Sequence, residues 1–175
     1  MVRLQRHQVA NNMRRNRGQV LIEVIVALSV VVIAFSGALS LLGTSVGLTR
    51  TISNQYIGTY LAAEGIEIVK NMIDENYFKG AAFNANLAND TYHFDWRSTS
   101  GSGSAGDIFL NYNAGSMKYQ YGGGGTPTAF KRDIIIRNSP GSPVSIEVES
   151  RVMWTGKGGD FEIVLGDRFT EWWGE

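Results

Sequence analysis

From Val24 to Thr49 the chain carries no charged residue, and Val, Ile, Leu, Ala and Phe dominate. A helix rises about 1.5 Å per residue, so roughly 20 such residues cross a ~30 Å hydrocarbon core. The run is long enough to span a membrane and exceeds the roughly 7–15 residues of a secretory h-region. A secretory signal places its small-residue cleavage site after the apolar run. Here the only glycine beside the basic segment, Gly18, comes before it. Cleavage at Gly18 would discard the charged leader and leave the apolar helix at the start of the mature chain.

The charges give the orientation. Residues 1–18 hold Arg3, Arg6, Arg14, Arg15 and Arg17 and no Asp or Glu. Positive charge flanking a first apolar helix stays cytoplasmic, which predicts an exported C-terminal domain. The formal net charge of zero is therefore a sum of two unlike parts. Without the five leader arginines, 11 basic side chains face 16 acidic ones, a net of −5. A basic arm can also bind nucleic acid, but the adjoining span accounts for these charges better.

Arg17-Gly18, followed by Leu21-Ile22-Glu23 and the unbroken apolar run, resembles the leader of type IV prepilins and type II secretion pseudopilins. The resemblance covers about thirty residues. It implies that an aspartic prepilin peptidase cuts between Gly18 and Gln19 and methylates the Gln19 amine. It also places the family's glutamate of the fifth mature position on Glu23. There the glutamate pairs with the free amine of a neighbouring subunit and sets the register of stacked helices. The chain departs from the family pattern at Gln19, where Phe is usual, and at Val20, where Thr or Ser is usual. Read from the residues alone, Glu23 is an interfacial charge that snorkels to the headgroups.

Helical periodicity continues past Arg50. Tyr56-Ile57, Tyr60-Leu61, Gly65, Ile68-Val69 and Met72-Ile73 recur at three- and four-residue spacing, which predicts one apolar stripe. Glu64, Glu67, Lys70, Asn71 and Asp74 fall opposite, with Glu67–Lys70 and Lys70–Asp74 spaced to pair. One helix is thus expected from about Gln19 to about Tyr77, apolar all round in its first half and striped in its second. Gly37, Gly43, Gly47, Gly58 and Gly65 interrupt it at a cost of about 1 kcal/mol each relative to Ala. They admit two readings, close small-xxx-small packing as at Gly43 and Gly47, or local melting on assembly.

Beyond Phe78 the pattern is lost, and Ser98–Gly106 is a Gly/Ser loop by composition. Thr91–Trp96 alternates aromatic and polar residues as a short strand would. Met117–Tyr121, the turn Gly122–Gly125, and Phe130–Arg137 suggest a hairpin. After the turn cluster Asn138–Pro143, Val144–Trp154 gives the clearest period-2 signal. Phe161, Ile163 and Leu165 then alternate again. The expected fold is α+β, with the striped half-helix laid on an antiparallel sheet of about four strands, which is also the plan the resemblance implies. The divisions are a leader over 1–18, a transmembrane or filament-core half-helix over 19–49, an amphipathic half-helix over 50–78, and an exported sheet domain over 79–175. No cysteine is present, so no disulfide closes that domain, as one does in many pilins.

Little in the chain suggests catalysis. The mature sequence keeps one histidine, His93, since His7 belongs to the leader; nucleophile–base pairs and common zinc sites need more. Asp90, Asp95 and Asp107 flank the Gly/Ser loop and offer oxygen ligands for calcium, which some pseudopilins bind. The fixed alternation of a calcium loop is absent, and no metal or cofactor is expected. Gly122–Gly125 lacks the Lys-Ser/Thr of a phosphate loop. Trp172-Trp173 reads as strand-end packing. The resemblance implies a non-enzymatic subunit, a minor one by its modest domain, in a bacterial type IV pilus or secretion pseudopilus. Its partners would be other subunits, the prepilin peptidase and the inner-membrane assembly platform. A membrane-anchored exported binding domain and a DNA-uptake pilin remain as alternatives, the latter disfavoured by the net charge of −5.

Overall fold

The computed structural model describes residues 2–99, 108–139, 141 and 143–171. The chain divides into two compact units, Met1–Thr49 and Arg50–Glu175. Helix α1, Val2–Phe78, supplies all the described secondary structure of the first and opens the second. It begins well before Gln19, because residues 2–17 contain neither proline nor glycine to stop it.

In the second unit six strands follow. They are β1 (Asp90–Tyr92), β2 (Phe109–Asn113), β3 (Lys118–Gln120), β4 (Thr126–Ser139), β5 (Ser145–Gly156) and β6 (Gly159–Thr170). All pair antiparallel in one sheet of order β3-β2-β4-β5-β6. The short β1 pairs with the C-terminal half of β4, from Asp90–Ile136 to Tyr92–Ile134. The sheet therefore has six strands rather than about four. Strand β2 escapes the pattern because Leu110 is its only buried side chain, so it shows no alternation. It also lies between β3 and β4, so Gly122–Gly125 is a crossover and not a hairpin turn. That connection holds all four glycines at φ between 61° and 113°, a region costly to other residues.

Period-2 alternation sets the sheet's two faces. Phe130, Ile134 and Ile136 of β4 and Ile146, Val148, Val152 and Trp154 of β5 are buried toward the helix. Ile68, Val69, Met72 and Ile73 of α1 meet the Ile134–Val148 end together with Phe83, Leu87, Tyr92 and Phe94. Leu61 and Ala62 meet the Phe130–Trp154 end, where Trp154 stacks on Phe161 at 5.6 Å. Tyr56 and Tyr60, expected on the stripe, are exposed instead. They sit one residue, about 100° of arc, from Ile57 and Leu61, which fill the stripe.

Two of the five helix glycines are explained by close approach. A Cβ on Gly58 would lie 2.7 Å from the Trp154 ring, and one on Gly65 would lie 2.3 Å from Ser150 Oγ. Gly37, Gly43 and Gly47 face open space. The helix stops in a Schellman turn, with Gly80 N–H donating to Tyr77 O and Ala81 N–H to Asn76 O. Gly80 takes the left-handed conformation this needs.

Candidate functional site

The residues singled out in the sequence lie on α1 of the first unit. Gly18, Gln19 and Glu23 are all exposed, and Gln19 and Glu23 are one turn apart on the same helix face. Gly18 has nothing within 4 Å of a Cβ position, and its peptide bond to Gln19 lies within the continuous helix α1. The hydroxyls along the run are satisfied within the helix. Ser29 donates to Ile25 O and Ser36 to Val32 O at 2.8 Å, and Thr44 and Thr49 bond Ser40 O and Ser45 O at 3.0 Å. Glu23 is the only charged side chain between Gly18 and Arg50, and among the described residues nothing pairs with it. Every residue of the uncharged run is exposed on the single chain except the half-buried Gly47. This is the one described helix long and apolar enough to cross a membrane.

The second unit holds a polar centre that sequence reasoning missed. Arg132 of β4 is fully buried between the two apolar clusters. Its Nη1 donates to Leu61 O and to Glu64 Oε2, both at 2.9 Å, and its Nη2 to Phe94 O at 2.6 Å. The side chain thus ties helix, sheet and the Phe94 segment together. Gly65 makes room for it, with the Arg132 Cδ 3.3 Å from a Cβ position there. Arg132 Nε and Ser150 Oγ are buried without a partner. Two signals were present in the sequence. Arg132 is in phase with Phe130, Ile134 and Ile136, and Gly65 sits on the apolar stripe.

Around this centre, Tyr121 donates its hydroxyl to Arg132 O at 2.5 Å. Burial pushes that hydroxyl up to about 12, against the nearby Arg132 guanidinium, which favours the phenolate. His93 Nε2 and Asp133 Oδ1 are 3.0 Å apart, so the one histidine of residues 19–175 is a buried structural partner. Asp95 accepts from Arg97 Nη2 at 2.6 Å and from the Tyr121 N–H at 3.0 Å. Burial acts to raise its carboxyl, but the bonds from Arg97 and Tyr121 outweigh it and hold the group below the usual carboxylate range. Asp95 spends its oxygens on these donors, and Asp90 spends one on the Thr91 N–H. Asp107, most of the Gly/Ser run and Trp172-Trp173 lie outside the described residues. Among those described, no three His, Cys, Asp or Glu side chains converge on one point.

On the sheet face away from the helix, Arg137, Glu149, Arg151 and Glu162 form a chain of ion pairs, and Arg168 meets Glu147. These pairs hold strands in register around a shallow depression of about 500 Å³ lined by Arg137, Glu147, Glu149 and Arg168 among others. No family model, curated protein or solved structure matches the chain.

Proposed function

We propose that the chain is a structural subunit, a minor pilin or pseudopilin, of a bacterial type IV pilus or type II secretion filament. It is cut after Gly18 and anchored in the inner membrane with its N-terminus cytoplasmic. The observation that supports this most is the exposed helix surface from Glu23 to Thr49, preceded by Gly18 and with Glu23 as its one charged residue. A long apolar surface left exposed in this way is suited to lipid or to other copies around it. A buried glutamate on it needs a counter-charge, and the Gln19 amine of a neighbouring copy supplies one in this reading. The helix-on-sheet second unit serves as the exported head.

Coexpression with a prepilin peptidase tests the assignment. N-terminal sequencing should begin at Gln19, whereas an intact leader or a start beyond residue 40 overturns the reading. Glu23→Ala should then insert as well as wild type and enter sheared filaments or crosslinked oligomers poorly. Equal incorporation would show that Glu23 is only an interfacial charge; absence of wild type itself from filaments and oligomers would favour an anchored domain that does not polymerise.

A further inference from the structure

We infer that the outer edge of β6 is a docking site for an extended segment of another polypeptide, which adds to the sheet as a further strand. The segment carries apolar residues on alternate positions, with basic residues and one aromatic between them. The inference goes beyond the reading above and rests on the second unit alone.

Strand β6 ends the sheet, and among the described residues no strand pairs with its outer edge. It has 12 residues, and its register with β5 is unbroken from Ser145–Thr170 to Gly156–Gly159. The phase of that ladder fixes which backbone groups face out. Just beyond β6, the Glu171 N–H donates to Val144 O at 2.8 Å in the same register. Hydrogen-bonded pairs alternate along an antiparallel ladder, so Phe161, Ile163, Leu165, Asp167 and Phe169 bond β5. Asp160, Glu162, Val164, Gly166 and Arg168 turn their N–H and C=O groups outward. Asp167 Oδ1 accepts the Arg168 N–H at 2.7 Å, which agrees with that phase and closes the far end of the edge. From Asp160 to Gly166 the edge stays open. Protein edges are ordinarily blunted by lysine, proline, bulges or inward charges, and this stretch has none of them.

The side chains select the occupant. Toward the helix, Phe161, Ile163 and Leu165 are only partly buried against the Trp154 cluster, so apolar residues facing them extend that cluster by one strand. On the other face, Asp160 and Glu162 each engage one oxygen, on Thr155 and Arg151. The open stretch holds these two carboxylates and no Lys or Arg. A second copy of the same stretch therefore supplies no cation to them, whereas a different chain with Lys or Arg opposite them does. Gly166 follows Val164, which is 47% exposed, and both line the depression of about 500 Å³ on that face. An aromatic side chain on a neighbouring strand covers an edge glycine of this kind. Main-chain bonds then give affinity, and the alternate side chains give specificity.

The probe is a fluorescein-labelled peptide, Trp-Val-Thr-Ile-Lys-Val-Lys. Lying antiparallel to β6, it sets Trp opposite Gly166 and its two Lys opposite Glu162 and Asp160. Binding to the full chain in detergent micelles is read by anisotropy and should saturate. N-methylation of its Trp, Thr and first Lys removes the N–H groups that face β6 and should weaken binding about a hundredfold. N-methylation of Val, Ile and Val, whose N–H groups face away, should change it little. Gly166→Ala should weaken the Trp peptide but not one with Ala in place of Trp. A Cβ there lies 3.7 Å from Val148 O, an ordinary contact that leaves the strand unstrained. Equal loss from the two methylation patterns, or no saturable binding, refutes strand addition at β6. The chain has no cysteine, so Val164→Cys reports a second copy without background. Disulfide dimers that form there and not through Lys157→Cys assign the edge to self-association and overturn the inference.

Discussion

Arg132 and Glu64 make a pair in which the more exposed partner should be the more costly to remove. The Arg132 side chain is fully buried and that of Glu64 is 33% exposed. Replacing Glu64 with Leu preserves bulk and helix propensity and keeps water from the site. It leaves a guanidinium with two carbonyl acceptors and no counter-charge. Removing one partner of a buried pair typically costs about 3–5 kcal/mol. Replacing Arg132 with Met leaves a carboxylate that can turn to solvent. The Leu61 carbonyl belongs to α1 and has its helical bond, so only the Phe94 carbonyl is orphaned, at about 1–3 kcal/mol.

The expected order of loss is therefore Glu64→Leu above Arg132→Met, by about 1–3 kcal/mol. Adding Arg132→Met to Glu64→Leu should restore stability, because the uncompensated charge is gone. Urea unfolding of a fragment beginning at Thr51 reads this through Trp154. With a slope of about 1–3 kcal/mol per molar, a 2 kcal/mol difference moves the midpoint by roughly 1 M. If Arg132→Met proves the costlier single change, or the double variant is no better than Glu64→Leu, the arginine serves to bridge the carbonyls and not to pair with Glu64.

Three further outcomes follow from the same packing. Gly65→Ala should lose about 1–2 kcal/mol in that urea assay, overpacking against Ser150 exceeding the ~1 kcal/mol helix gain, and Ser150→Ala should recover most of it. Tyr121 has its hydroxyl raised to about 12, so its contribution is complete below the unfolded value of about 10 and is lost as pH rises through 12. Tyr121→Phe should flatten that alkaline limb in pH-dependent melts. The fragment from Thr51 should unfold cooperatively, while one from Ala81 leaves Ile134, Ile146, Val148 and Val152 uncovered and should show no cooperative transition by calorimetry.

How much of this was legible follows from how each element pays for its order. The striped half of α1 and strands β4 and β5 are long and bury one side, and β6 half-buries one, so their periods of 3.6 and 2 are written over many residues. Strands β1 and β3 have three residues each, and β2 buries one side chain. Thr91–Trp96 and Met117–Tyr121 still point to β1 and β3, whereas β2 is ordered by pairing with β3 and β4, a tertiary cause that leaves no local period. Tyr56 and Tyr60 show the converse limit, since apolar character at nearly the right spacing is not burial. A one-residue offset carried them out of the interface.

The polar centre was hidden for a different reason. Alternation assigns a position to a face but does not say that a charge may occupy it, and the usual inference from an inward arginine is a broken strand. What makes Arg132 tolerable is supplied by two segments far from it in sequence, residues 61–65 of α1 and Phe94. Leu61 and Phe94 supply carbonyls, Glu64 the counter-charge, and Gly65 the space. Each is unremarkable alone, and only the fold brings them to one point. The glycines illustrate the same logic in reverse. Gly58 and Gly65 carry the ordinary cost of glycine in a helix because the sheet comes too close for a methyl group. At Gly37, Gly43 and Gly47 nothing among the described residues lies within 4 Å of a Cβ position, so close approach within the described chain accounts for Gly58 and Gly65 alone.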